Sequence, residues 1–143
     1  MAGPTQVLYR TRASATGGRN GKTHLEEGGL WIATSIPKDM GGDGQGSNPE
    51  QLFALGYASC FGSALLFVAG QKKVDAAKSK VVCEVGIGRS EAGGFALEAK
   101  LIVSCPGMDP AQLKELVEAA HQVCPYSNAT RGNMPVELVV EGA

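Results

Sequence analysis

Two stretches of the chain alternate apolar and polar residues with a period of two. In Lys80 to Ser90 the apolar positions Val81, Cys83, Val85 and Ile87 share one face, and in Phe95 to Cys105 the set is Phe95, Leu97, Ala99, Leu101, Val103 and Cys105. Successive strand side chains point to opposite faces, so each stretch reads as a strand with one covered face. Glu91-Ala92-Gly93-Gly94 between them predicts a β-hairpin. A helical period follows. Leu113, Leu116, Val117, Ala120 and Cys124 repeat at i, i+3, i+4, i+7 and i+11, with Lys114, Glu115 and Glu118 opposite. Asp109 is a good N-cap, Pro110 suits the first helical position, Gln112 completes a box-like start, and Pro125 stops the helix.

Pro49 to Gln71 carries no charge after Glu50 until Lys72. Asn48 as N-cap, Pro49 at the first position and Glu50 in the first turn predict a long helix, apolar all round. A run this long can span a bilayer. Gly56, Ser59, Cys60, Gly62 and Ser63 in its middle, and polar-rich amphipathic segments on both sides, favour the buried centre of a soluble fold. Towards the N-terminus, Val7 to Thr16, Lys22 to Glu26 and Leu30 to Ser35 read as strands. The first two are joined through Gly17-Gly18-Arg19-Asn20-Gly21, where Asn-Gly predicts a hairpin with positive φ at both residues. The second pair is joined at Glu27-Gly28-Gly29. Pro37 to Asn48 is a glycine-rich loop, and Val136 to Glu141 is a last strand. The order βββ-α-ββ-α-β predicts an α+β fold with antiparallel sheet, one domain over residues 1–143.

Charge and cysteine usage narrow the function. Thirteen Lys+Arg against 14 Asp+Glu leave a net charge of −1, so no basic field attracts nucleic acid. Met1 to Arg12 has no continuous apolar core of the secretory kind, and the expected compartment is the cytoplasm, where thiols stay reduced. The four cysteines, Cys60, Cys83, Cys105 and Cys124, contain no C-x-x-C pair, and no metal site is expected. Cys83 and Cys105 point with the apolar set of their strands and read as core fillers.

The remaining two cysteines carry the candidate chemistry. On a helical wheel Phe53 and Phe67 fall within about 20° of Cys60. Tyr57 and Ala64 flank it on one side, Gly56 and Ser63 on the other. Cys60 is therefore either a core cysteine or a thiol facing an apolar pocket or a second helix. The helix dipole fades within the first turn, so a reactive Cys60 needs a cation from another segment. Arg10, Arg12, Arg19, Arg89 and Arg131 are available. Cys124, at a helix C-terminus, is a poor first nucleophile and a plausible second thiol. His121, one turn earlier, leaves open a Cys-His hydrolase or transferase, or a metal pair.

Three segments, GGRNG at Gly17 to Gly21, NPEQLFALGYASCF at Asn48 to Phe61 and CPYSNATRGN at Cys124 to Asn133, resemble the organic hydroperoxide resistance proteins of the OsmC superfamily, along essentially the whole chain. The resemblance implies an intertwined homodimer with a long central helix buried between sheets and active sites at the subunit interface. It implies a thiol peroxidase that reduces alkyl and fatty-acid hydroperoxides to alcohols. No bound cofactor or metal is implied; the reductant is an external dithiol of the lipoyl type, a lipoylated protein or dihydrolipoamide. Cys60 is then the peroxidatic and Cys124 the resolving cysteine, Arg19 the cation near Cys60, and Glu50 its carboxylate partner. Phe53, Tyr57 and Phe67 form an apolar wall for an alkyl chain. No nucleic acid or membrane is implied as a partner. The competing readings are a non-enzymatic thiol redox sensor and the Cys-His enzyme using Cys124 and His121.

Overall fold

The computed structural model describes residues 3–142. Its contacts divide the chain into two compact units, Met1–Pro49 and Glu50–Ala143.

The first unit is a three-stranded antiparallel sheet in the order β1-β2-β3, with β1 at Ala13–Thr16, β2 at Lys22–Leu25 and β3 at Trp31–Ala33. The first strand is shorter than the Val7 to Thr16 stretch predicted for it. Leu8 and Tyr9 are 90% and 80% exposed. β2 ends at Leu25, and just beyond it the Glu26 N–H donates to the Arg12 carbonyl. Met1 and Ala2 lie outside the described residues.

The turn between β1 and β2 also differs in mechanism from the expected Asn-Gly hairpin. Gly18–Asn20 forms one 3-10 turn, and positive φ falls on Gly17 (80°) and Gly18 (57°) rather than on Asn20 and Gly21. Gly21 is needed for space, because a Cβ there would stand 1.9 Å from the Thr16 carbonyl oxygen.

The second unit holds the core. α1 runs unbroken over Pro49–Gln71, as its flanking signals predict. β4 (Lys80–Arg89) and β5 (Phe95–Ser104) pair antiparallel as the predicted hairpin, with Cys83 opposite Leu101. α2 covers Pro110–Val123, and Asp109 accepts the Gln112 N–H as N-cap. α3 covers Pro125–Thr130, and β6 covers Val136–Val140. β6 pairs with β5 in parallel, so the α+β order is kept while this sheet is mixed rather than wholly antiparallel. Two helices separate β5 from β6, and such a crossover returns the chain in the same direction.

One cluster of buried side chains joins these elements: Tyr57, Phe61, Leu65 and Val68 of α1, Leu101 and Val103 of β5, Cys105, then Leu113, Leu116, Val117 and Ala120 of α2, and Cys124. α1 is long and apolar enough to cross a membrane by composition, yet one flank of it belongs to this core. The opposite flank carries Leu55, Leu66 and Phe67, each half or more exposed. The alternating strand pattern is met at Leu101, Val103 and Cys105, which are buried. It runs off the core at Phe95, which is 64% exposed and lies under the Arg89 guanidinium at 5.8 Å.

Candidate active site

Pro125, read from the sequence as the end of a helix, also starts one. Proline suits the first turn of a helix, where its missing N–H costs nothing. Cys124 is therefore the C-cap of α2 and the N-cap of α3 at once, with extended backbone at φ −64° and ψ 124°. Its N–H donates to the Ala120 carbonyl, and its own carbonyl accepts from Asn128. The bend turns the Cys124 side chain towards the middle of α1. Its Sγ lies 3.7 Å from the Sγ of Cys60, in thiol hydrogen-bond contact across 64 residues of sequence.

The two thiols have different access. Cys124 is fully buried, whereas Cys60 is half-buried. Cys60 sits in a groove of about 480 Å³ lined by Gly56, Ser59, Ser63, Ala64 and Phe67 of α1, with Val123 and Pro125 closing the other side. The small residues and Phe67 placed beside Cys60 by the helical wheel thus lie together around its sulfur.

Of the other two aromatic wall residues, Tyr57 does not line the groove. Its ring is fully buried and its hydroxyl meets Ser127 Oγ at 2.8 Å. Phe53 stacks with Tyr57 and Tyr126, with ring centroids 5.9 and 6.0 Å away.

Tyr126 is a site residue that the sequence reading missed. Its ring lies over Gly56, where a Cβ would come 2.6 Å from the Tyr126 hydroxyl oxygen. Its backbone N–H donates to the Cys60 sulfur. That donor favours the thiolate, but it does not prevail within this environment. Burial pushes the Cys60 thiol above its ordinary range, and the adjacent Cys124 sulfur adds to the shift. Ser127 and Thr130 were missed in the same way, whereas His121, singled out from the sequence as a possible partner of Cys124, meets Ser127 instead. His121 Nδ1 contacts Ser127 Oγ at 2.8 Å, and burial, then the nearby Arg131 charge, lowers its pKa.

Arg19 and Glu50 are placed by separate local devices. Arg19 is the middle residue of the 3-10 turn in the first unit. That turn is laced to the segment after β3. Thr34 Oγ1 donates to the Gly18 carbonyl at 2.9 Å and accepts the Gly21 N–H at 2.9 Å, and Asn20 Oδ1 accepts from Ile36 N at 3.3 Å. Glu50 lies in the first turn of α1, ten residues ahead of Cys60. On an unbroken helix that is roughly 15 Å along the axis.

Cys105, just beyond the end of β5, is buried and unpaired, as the alternation in the sequence implies. Cys83 is unpaired but only half-buried, because β4 is an edge of its sheet; even so, burial raises its pKa to about 11. Among the described residues, no group of three His, Cys, Asp or Glu side chains is placed to hold a metal ion.

Comparison with known proteins places this geometry in a family. The family described as OsmC-like protein matches residues 42–139. An organic hydroperoxide resistance protein of Xanthomonas axonopodis pv. citri is 49% identical over 142 residues, covering 98% of this chain and 99% of its own. The organic hydroperoxide resistance protein OhrB of Bacillus subtilis is 40% identical over 133 residues, covering 92% of this chain and 97% of its own. The crystal structure of an organic hydroperoxide resistance protein from Elizabethkingia anophelis superposes with a TM-score of 0.92 at 46% identity, covering 97% of this chain and all of that one. With identity near one half over nearly the full length, this chain belongs to the OsmC-like family, among the organic hydroperoxide resistance proteins.

Proposed function

We propose that the protein is a cysteine-based peroxidase that reduces organic hydroperoxides to alcohols. The observation that carries the reading is the pair of sulfurs: Cys60 opens onto an apolar groove, and Cys124 waits fully enclosed 3.7 Å behind it. A bulky alkyl hydroperoxide entering the groove meets only Cys60. The Cys60 thiolate attacks the terminal oxygen of R–O–O–H. An S–O bond forms, the O–O bond breaks, and the alkoxide takes up a proton and leaves as the alcohol. Cys124 then attacks the Cys60 sulfenic acid, giving a disulfide and water before further oxidation. An external dithiol of the lipoyl type reopens the disulfide by exchange, returning two thiols.

The raised Cys60 pKa makes a cation necessary at neutral pH. Arg19 is assigned that role, with Glu50 fixing the guanidinium through a bidentate pair. The same guanidinium stabilises the charge that moves onto the leaving alkoxide. No bound cofactor or metal takes part. The protein works as a homodimer in the cytoplasm, and the exposed apolar flank of α1 with Leu55, Leu66 and Phe67 is in keeping with such an assembly.

The test is turnover of tert-butyl hydroperoxide with dihydrolipoamide. Many alcohol molecules per chain are expected, with Cys60→Ser inactive. Cys124→Ser should give one turnover and then accumulate sulfenic or over-oxidised Cys60. Consumption that stops at one peroxide per wild-type chain would favour a redox sensor instead. A Cys124→Ser protein that recycles normally would remove Cys124 from the cycle.

A further inference from the structure

The junction that presents Cys124 is held by a network centred on one buried hydroxyl. Ser127 is fully buried, and its Oγ lies 2.8 Å from the Tyr57 hydroxyl on α1 and 2.8 Å from His121 Nδ1 on α2. The Tyr57 hydroxyl also meets Thr130 Oγ1 at 3.3 Å, and Thr130 Oγ1 lies 3.2 Å from the Ser127 carbonyl oxygen. At the end of α3, Arg131 donates back to the His121 carbonyl and to Asn128 Oδ1 at 2.8 Å. Tyr57 precedes Cys60 by three residues on α1, and Ser127 follows Cys124 by three. The two cysteines and the two hydroxyls thus form paired rungs between α1 and the α2–α3 bend. No buried polar side chain among the described residues lacks a partner, so this network is complete.

We propose that Ser127 is a positioning residue for Cys124: by joining Tyr57 of α1 to His121 of α2, its hydroxyl holds the α2–α3 bend so that the Cys124 sulfur stays within reach of Cys60. The proposal rests on the peroxidase reading and concerns its second step. In that step an S–S bond forms and the S–O bond of the sulfenic acid breaks. The hydroxyl leaves with the Cys124 thiol proton as water. The sulfurs must close from 3.7 Å to a bond of about 2.05 Å. A bend free to drift would lower the local concentration of Cys124 at Cys60, and a second peroxide would compete for the sulfenic acid. Peroxide attack on Cys60 needs no approach of the Cys124 sulfur, although Val123 and Pro125 line the groove and the Tyr126 N–H meets Cys60. Ser127 and Tyr57 therefore govern the partition between disulfide and sulfinic acid far more than the first oxidation.

The experiment follows single turnover with tert-butyl hydroperoxide by rapid quench and mass spectrometry. It scores alcohol, sulfenic acid, disulfide and sulfinic acid. Tyr57→Phe removes one hydroxyl and keeps the ring. Alcohol should form within about twofold of the wild-type rate while disulfide closure slows about fivefold, the worth of one neutral hydrogen bond. The sulfinic fraction should rise in proportion. Ser127→Ala removes both contacts and should slow closure further; if it fails to fold, Tyr57→Phe still decides. Val68→Ala, a core truncation on α1 two turns beyond Cys60, should melt lower yet close at the wild-type rate. Closure at the wild-type rate in Tyr57→Phe overturns the proposal, as does equal slowing in Val68→Ala. Closure driven by diamide, without peroxide, should rank the variants identically. A wild-type protein that releases no alcohol but closes with diamide in that rank would overturn the peroxidase reading and leave the positioning role supported.

Discussion

The length of α1 predicts that Glu50 serves the active site of the other subunit in a dimer. α1 is unbroken from Pro49 to Gln71, and Glu50 lies ten residues before Cys60, roughly 15 Å away along the axis. A glutamate side chain cannot close that gap within one helix. The perturbation is a mixed dimer, purified through two different tags, in which one subunit carries Cys60→Ser and the other Glu50→Ala. In a two-fold dimer with Glu50 acting across the interface, both changes fall in one site, the other stays intact, and about half the wild-type activity remains. With Glu50 acting within its own chain, each site holds one lesion. Losing a charge-assisted pair then costs the surviving thiol roughly ten- to a hundredfold. Dihydrolipoamide-dependent turnover separates half from a tenth or less. Activity at a tenth or below, with the Glu50→Ala homodimer equally low, would refute the argument from helix length.

Three further outcomes follow from the geometry. Gly56→Ala should lower the melting temperature, with a cost of about 1–3 kcal/mol, because its Cβ would stand 2.6 Å from the Tyr126 hydroxyl; an unchanged thermal melt would contradict the packing of Tyr126 on α1. Arg19→Ala should lose turnover at pH 7 and regain it as pH rises above the ordinary thiol range, since burial raises the Cys60 pKa and only the thiolate attacks; a flat pH profile would argue against Arg19 as the activating cation. Native labelling at pH 7 with a thiolate-selective reagent should modify Cys60 first, leave Cys105 untouched, and reach Cys83 slowly, because a pKa of about 11 keeps that thiol protonated; rapid modification of Cys83 would count against its half-buried place on β4.

What the sequence made legible was whatever carries a period or a punctuated end. α1 follows from Asn48-Pro49 and an uninterrupted apolar run, β4 and β5 from strict alternation, and α2 from Asp109-Pro110 and its i, i+3, i+4 stripe. α3 had no such signal. Its six residues are too few to show a period, and its buried members, Ser127 and Thr130, are polar. Pro125 is as compatible with a helix start as with a stop. The Gly17 to Gly21 turn was placed correctly but for the wrong reason, because Asn-Gly suggests backbone freedom where the fold needs room for the Thr16 carbonyl. The wheel around Cys60 gave the groove's small residues and Phe67, since those share its helix. It could not give Tyr126 or the Tyr57 hydroxyl contact, which depend on a segment some 70 positions away. Tyr57 therefore read as pocket wall when its hydroxyl makes it part of the core.

The placement of the two sulfurs also bears on how firmly the chain is held in each redox state. Cys60 and Cys124 are 64 positions apart, and the segment between them contains the second half of α1, both strands of the hairpin and all of α2. Closing that ring removes chain entropy from the unfolded state, about 4 kcal/mol for a loop of this length. In this reading the enzyme alternates in every cycle between a stapled and an unstapled form of the same core. When reductant runs short it collects in the stapled form, the one most resistant to unfolding. On the proposed cycle, a shortage of electrons would thus preserve the protein until the dithiol supply returns.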